Sequence, residues 1–294
     1  MRADGSLDLG VVERQAEHLA SQGVVAAFVC GTTGEGSSLS VPERRQLIER
    51  WCAVSGNALP VIAHVGDPSI AAAKELAEHA GRSGAAAIAA VPPFYFRPSR
   101  VDDVLACCTA VASAAPDLPF YYYHIPGNTG VRIAVAELLE EASRTIPSFA
   151  GLKFSDDDLM DFGRCVALAG DRYDLFYGRD EMLLPALSVG ARAAIGTTYN
   201  FAAPLYRRMI RAFDGGDLAA AQALQARSRD FVALVQAHGG LPAMKAVMSL
   251  AGVDCGPCRL PLRTLDERQI QSLAEDLETS GLITVIRPEG SEAR

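Results

Sequence analysis

Seven short, nearly unbroken apolar runs, separated by longer segments with helical periodicity, limit most strongly what this chain can fold into. They are VVAAFVCG (24–31), PVIAHVG (60–66), AAIAAVPP (86–93), PFYYYHIP (119–126), FAGLKFS (149–155), YDLFYGRD (173–180) and ARAAIGTTYN (191–200). A strand with one wet face alternates polar and apolar residues. Continuous runs suit strands buried on both faces of a parallel sheet. Between the runs, Val41-Pro42-Glu43 opens a helix with proline in its first turn, running to about Trp51. Pro68 and Ser69 precede IAAAKELAEHAGRSG, which ends on Gly84. Ser155, followed by Asp156, Asp157 and Asp158, reads as the cap of another helix, with carboxylates at the positive end of the dipole rather than at a metal. Strand–helix units of roughly 25–30 residues imply a parallel α/β architecture.

Two such architectures compete, the open doubly wound sheet and the closed barrel. No G-x-G-x-x-G follows the first run and no G-x-x-x-x-G-K-[ST] occurs. Polar residues recur instead at the C-terminal ends of several runs, where barrel enzymes place their sites, so the expectation is a (β/α)8 TIM barrel. The chain opens with a helix from about Asp8 to Gln22 and no run before it. The barrel's first strand is therefore expected to be missing, or to lie upstream of Asp4-Gly5, and an open barrel would expose two long edges. After Asn200 only helical stretches follow, near 203–213, 217–238, 241–252 and 265–280. Residues 1–214 are expected to form the barrel and 215–294 a C-terminal helical appendage.

The 294 residues, 49% of them apolar, can bury a sizeable core. A net charge of −8 without any Lys/Arg run argues against nucleic acid and anionic membrane surfaces. No stretch approaches the roughly 20 apolar residues that span a bilayer, and MRADGSLDLG lacks the apolar core of a secretory signal. Seven scattered cysteines fit a reducing cytoplasm better than a disulfide framework. Cys255-Gly-Pro-Cys258 has redox or zinc spacing, but no second Cys/His pair lies nearby, so it reads as small residues in a loop.

Gly31-Thr32-Thr33-Gly34-Glu35-Gly36 offers hydroxyl and backbone donors to a small anion such as a carboxylate, or is simply a glycine-rich turn. In the run holding Tyr121-Tyr122-Tyr123-His124, alternation sends Tyr121 and Tyr123 to one face and Tyr122 to the other. A tyrosine at the strand's mouth can pass a proton, or it can merely pack, and His124 reads as a structural histidine pointing away. Lys153 is a lone charge in an apolar strand. A buried ammonium is expensive, and a neutral amine is the species that attacks a ketone to form an imine. Function explains this lysine better than stability does.

GTTGEG (31–36), YYYHIP (121–126), GLKFSDDDLMDFGRC (151–165), GRDE (178–181) and GTTYN (196–200) together resemble the dihydrodipicolinate synthase/N-acetylneuraminate lyase family of class I pyruvate aldolases. The likeness runs from about Asp4 to Leu282, and its wording is nearest the lyase branch, particularly the animal type. The resemblance implies that Lys153 forms the Schiff base, Tyr123 transfers the proton beside it, and Thr32 and Thr33 hold the pyruvate carboxylate, with Thr32 also relaying protons. Tyr95, in PPFYFRP, matches a tyrosine that reaches into a neighbouring subunit's relay. Ser155, Gly178, Asp180, Glu181, Gly196 and Thr197 fall where lyases hold the polyol tail of a sialic acid. A homotetramer is implied, with a small 2-keto acid or sugar acid as substrate and neither metal nor organic cofactor.

The implied reaction is cleavage of a sialic acid to pyruvate and N-acetylmannosamine. Synthases of the family carry an arginine just after the tyrosine, where this chain has Asn128. That disfavours an amino-acid biosynthetic role of the dihydrodipicolinate synthase kind. Lyases have two apolar residues at 127–128, here Gly127-Asn128, which leaves another sugar acid, such as 2-keto-3-deoxygluconate, as an alternative for an aldolase or dehydratase. A catalytically silent sugar-acid-binding barrel is the reading from a different class.

Overall fold

The computed structural model of the chain describes residues 1–56 and 58–287. They group into two compact units. One comprises Ala26–Arg179 and Pro185–Ile195, the other Met1–Val25, Asp180–Leu184 and the residues from Gly196 on.

The first unit holds strands β1 Ala27–Val29, β2 Val61–His64, β3 Ala87–Ala90, β4 Phe120–His124, β5 Phe149–Phe154, β6 Asp174–Tyr177 and β7 Ala193–Ala194. All pair in parallel and in chain order, the order of a (β/α) barrel rather than of a doubly wound sheet, whose order reverses. β2, β3 and β4 are buried at every residue, as their unbroken apolar runs require. Phe28 of β1, Phe176 of β6 and Ile195 after β7 all pack on the cluster Ile62, Ala87, Ala89 and Tyr121. Side chains from both ends of the sheet meet on one cluster, so the sheet is curled around it. Its edges are not the long ones expected, since β1 has three residues and β7 two. Short edge strands offer little backbone for unwanted pairing.

One irregularity decides where the lysine points. Phe120 faces Phe149, but Tyr121 faces Gly151, which makes Ala150 an extra residue in β5, a β-bulge. Beyond it Tyr123 faces Lys153 and His124 faces Phe154. A one-residue slip exchanges the faces of a strand, so in an unbulged register, with Ala150 opposite Tyr121, the lysine would stand opposite His124 and turn outward. Gly151, at φ +145°, lies so close to β6 that a Cβ would meet the Asp174 carbonyl oxygen at 1.9 Å. Only glycine lets the two strands close there. Tyr122 and His124 turn to the outer face, as alternation predicts. His124 lies 6.1 Å from Tyr122 and 5.1 Å from Phe154 between ring centres, and Phe154 in turn meets Phe162 of the helix Leu159–Ala169.

Helix Val41–Ser55 begins with proline and a Ser40/Glu43 capping box, and Ser69 caps Ile70–Arg82 by accepting from the Ala72 amide. The helix expected to start at Ser155 starts later. Ser155 continues the strand, donating its amide to the His124 carbonyl at 2.8 Å, and Asp158 is the cap, accepting from the Asp161 amide at 2.9 Å. Asp156 instead faces His124 and Arg132, and Asp157 pairs with Arg179. Asp161 accepts from the Val135 and Ala136 amides at 2.7 and 3.3 Å, satisfying first-turn donors of the helix Val135–Thr145 that have no partner inside it.

The second unit is helical, with Val11–Ser21, Tyr199–Asp214, Leu218–Ala237, Leu241–Leu250 and Glu267–Thr279 as its longer elements. Cys255 and Cys258 lie in the irregular stretch before the last of these. Among the described residues no helix is long and apolar enough to cross a membrane.

Candidate active site

Lys153 sits on the concave face of the sheet, 7% exposed. Its Nζ stands 4.1 Å from the centre of the Tyr123 ring and 4.4 Å from that of Phe28, two rings that meet edge to face at 5.5 Å. Their π faces attract a cation and their bulk keeps water away from the amine. The Tyr123 hydroxyl lies 3.4 Å from Thr32 Oγ1, and Thr32 is exposed. Amine, phenol and hydroxyl thus form a line from the buried strand to the water-facing turn.

That turn is held under strain. Cys30 and Glu35, at φ +60° and +52°, flank it in the left-handed region, where a residue with a Cβ costs about 1–3 kcal/mol and persists only if its surroundings impose it. Inside, the Glu35 and Gly36 amides donate to the Thr32 and Gly31 carbonyls at 3.0 and 3.1 Å. Thr32 and Thr33 are therefore presented on a fixed backbone. Behind the turn lies Arg44, only 1% exposed, which donates to the His64 carbonyl at 2.8 Å and pairs with Asp67 at 3.3 Å.

At the end of β5, Ser155 Oγ is buried without a hydrogen-bonding partner among the described residues. Gly178 packs against it so closely that a Cβ would fall 1.9 Å from that oxygen. A buried hydroxyl left unpaired is costly, and it is the kind of group a polar ligand satisfies.

In the helical unit, Asp180 and Gly196 meet in the same way, a Cβ on Gly196 falling 1.5 Å from Asp180 Oδ1. Asp180 Oδ2 accepts from the Thr198 amide at 2.7 Å and from Thr198 Oγ1 at 2.6 Å. The Tyr206 hydroxyl bridges Thr198 Oγ1 at 2.6 Å and Ser228 Oγ at 2.9 Å, and Ser228 donates to the Asp180 carbonyl at 3.2 Å. Burial, and then the charge of Asp180, hold the Tyr206 phenol well above its ordinary value. The turn 196–198 is fixed by this network, with the Thr197 carbonyl accepting from the Asn200 side chain at 2.9 Å, and Glu181 stands beside Asp180, half-buried. Thr198, Tyr206 and Ser228 escape sequence reasoning, since a hydroxyl in a turn or on a helix leaves no periodic mark.

Tyr95 is not brought to Lys153. It is 78% exposed beside Phe96, 86% exposed, their rings edge to face at 5.1 Å.

A curled parallel sheet with an amine buried at the C-terminal end of one strand and faced by a phenol on the next defines a (β/α)-barrel protein with its chemistry at the strand ends. The chain belongs to the dihydrodipicolinate synthetase family, whose sequence pattern matches residues 1–280. It is 43% identical over 295 residues to the N-acetylneuraminate lyase of Gallus gallus, covering 99% of this chain and 94% of that one. It is 45% identical over 268 residues to the lyase of Rattus norvegicus, covering 90% and 84%. Among solved structures, Proteus mirabilis N-acetylneuraminate lyase superposes with a TM-score of 0.92 at 38% identity, covering 96% of this chain and 95% of that one.

Proposed function

We propose that this chain is a Schiff-base-forming aldolase that cleaves N-acetylneuraminate to pyruvate and N-acetylmannosamine. The observation that carries the reading is Lys153 facing Tyr123 across β4 and β5, with the Tyr123 hydroxyl near Thr32, in a chain this similar to the lyases.

Lys153 Nζ adds to the C2 ketone of the open-chain sugar acid, and loss of water leaves a protonated imine. The imine draws the C3–C4 bonding electrons as Tyr123 takes the proton of the C4 hydroxyl, releasing the aldehyde and leaving an enamine. Protonation at C3 and hydrolysis then free pyruvate and the amine. Thr32 and Thr33 hold the carboxylate, Thr32 also relaying protons, while for the hydroxylated tail the family likeness points to Ser155, Gly178, Asp180, Glu181, Gly196 and Thr197. The imine is the only electron sink this sequence needs, so neither metal nor organic cofactor enters it.

The exposed Tyr95–Phe96 pair fits a subunit contact, and we place Tyr95 in the proton relay of a neighbouring copy within a homotetramer in the cytoplasm. Pyruvate release from N-acetylneuraminate and from 2-keto-3-deoxygluconate decides the substrate. Higher kcat/KM for the first is expected, and a preference for the second rejects the lyase reading.

A further inference from the structure

We propose that His64 is a positioning residue with two separable duties: its Nδ1–H fixes the Cys30 carbonyl and with it the Thr32-Thr33 turn, while its ring props Tyr123 beside Lys153. The inference rests on the Schiff-base reading above.

His64 ends β2 and is 4% exposed. Its ring nitrogens are both engaged. The Val91 backbone amide can only donate, so Nε2, 3.4 Å away, must accept. The proton therefore sits on Nδ1, which donates to the Cys30 carbonyl at 3.0 Å. This arrangement requires a neutral ring. Burial first, then the charge of Arg44, with a smaller push from Lys153, takes the imidazole down to about 3.

What Nδ1 grips matters. Cys30 is the left-handed residue that launches the turn, and Thr32 follows two residues later. A strained residue keeps its conformation only while its neighbours impose it, and the His64 hydrogen bond is one such restraint. Arg44 steadies the opposite partner by donating to the carbonyl of His64 itself.

The ring has the second duty. It stands edge to face with Tyr123 at 5.8 Å and lies 5.9 Å from Phe28, the same two rings that flank Lys153 Nζ. Removing the imidazole would leave Tyr123 free to tilt, and a misplaced proton-transfer group slows the bond-breaking step.

Two variants of the full chain separate the duties. His64→Phe keeps a ring and loses both hydrogen bonds. His64→Asn keeps a donor for the Cys30 carbonyl and loses the ring. Each is measured for kcat of cleavage and for the pyruvate concentration that half-saturates borohydride trapping on Lys153, after thermal melts show cooperative unfolding. For His64→Phe we expect half-saturation to rise about tenfold and kcat to fall less than about threefold, the size of one or two lost hydrogen bonds. For His64→Asn half-saturation should stay near wild type while kcat falls about tenfold, the upper end for a lost aromatic pair. Equal effects of both variants on both quantities, or wild-type half-saturation in His64→Phe, would overturn the inference alone. A wild type that traps no pyruvate would overturn both it and the Schiff-base reading.

Discussion

Tyr206 makes no contact that a substrate would need, yet the turn carrying Gly196 and Thr197 depends on it. Its hydroxyl joins Thr198 to Ser228, and Thr198 donates twice to Asp180. Tyr206→Phe leaves buried hydroxyls short of a partner and should cost about 1–3 kcal/mol in denaturant unfolding. It should also raise the KM for the sugar acid while pyruvate trapping keeps its wild-type half-saturation. Unchanged stability and KM would show the network to be idle. Asp180 itself is legible through the GRDE motif, whereas its clamp is not, because its members stand eight and 22 residues apart, at the start of one helix, within it, and on the next helix. Lys153 is legible because a lone ammonium in an apolar strand serves no cheap structural purpose. His64 carries the same signal in PVIAHVG, but a neutral imidazole is easily satisfied inside a protein, so sequence alone does not separate a functional histidine from a packed one.

Among the elements, β5 carries the largest consequence for the smallest feature. Gly151→Ala would drive a methyl group into the Asp174 carbonyl, so β5 and β6 must part where the bulge sets the face of Lys153. The expected result is a loss above about 2 kcal/mol together with a fall in kcat; a wild-type melt would contradict the close-approach argument. Asp161→Ala tests the helix joint separately, removing an acceptor from the Val135 and Ala136 amides at about 1–2 kcal/mol with kcat little changed. The strands themselves are legible, since all seven apolar runs form strands in chain order. The bulge is not. A run buried on both faces has no polar–apolar alternation, so nothing in it reveals that Phe149 and Ala150 together stand against the single partner Phe120. Ser155 misleads for a related reason, being a good capping residue that continues the strand three residues before the true cap, Asp158.

For the whole molecule, buried histidines set the response to acid. Burial lowers His18, His64 and His124 from their ordinary value of 6.5, so below that pH the unfolded chain binds protons the folded one refuses. Stability is therefore complete above about pH 6.5 and falls as pH drops, the His64 share continuing to fall until about pH 3. His64 alone should remove about 2 kcal/mol between pH 7 and 5. Unfolding free energies over that range should slope less in His64→Phe than in wild type, and equal slopes would mean that His64 titrates normally. Assembly belongs to the same scale: sedimentation should give a tetramer, and Tyr95→Phe should lower kcat without dissociating it. The lysine decides everything above. Incubated with pyruvate and borohydride, then digested and weighed, the protein should carry an irreversible adduct on Lys153, absent from a Lys153→Arg variant that melts like wild type. No adduct, or one on another lysine, would contradict the proposed chemistry.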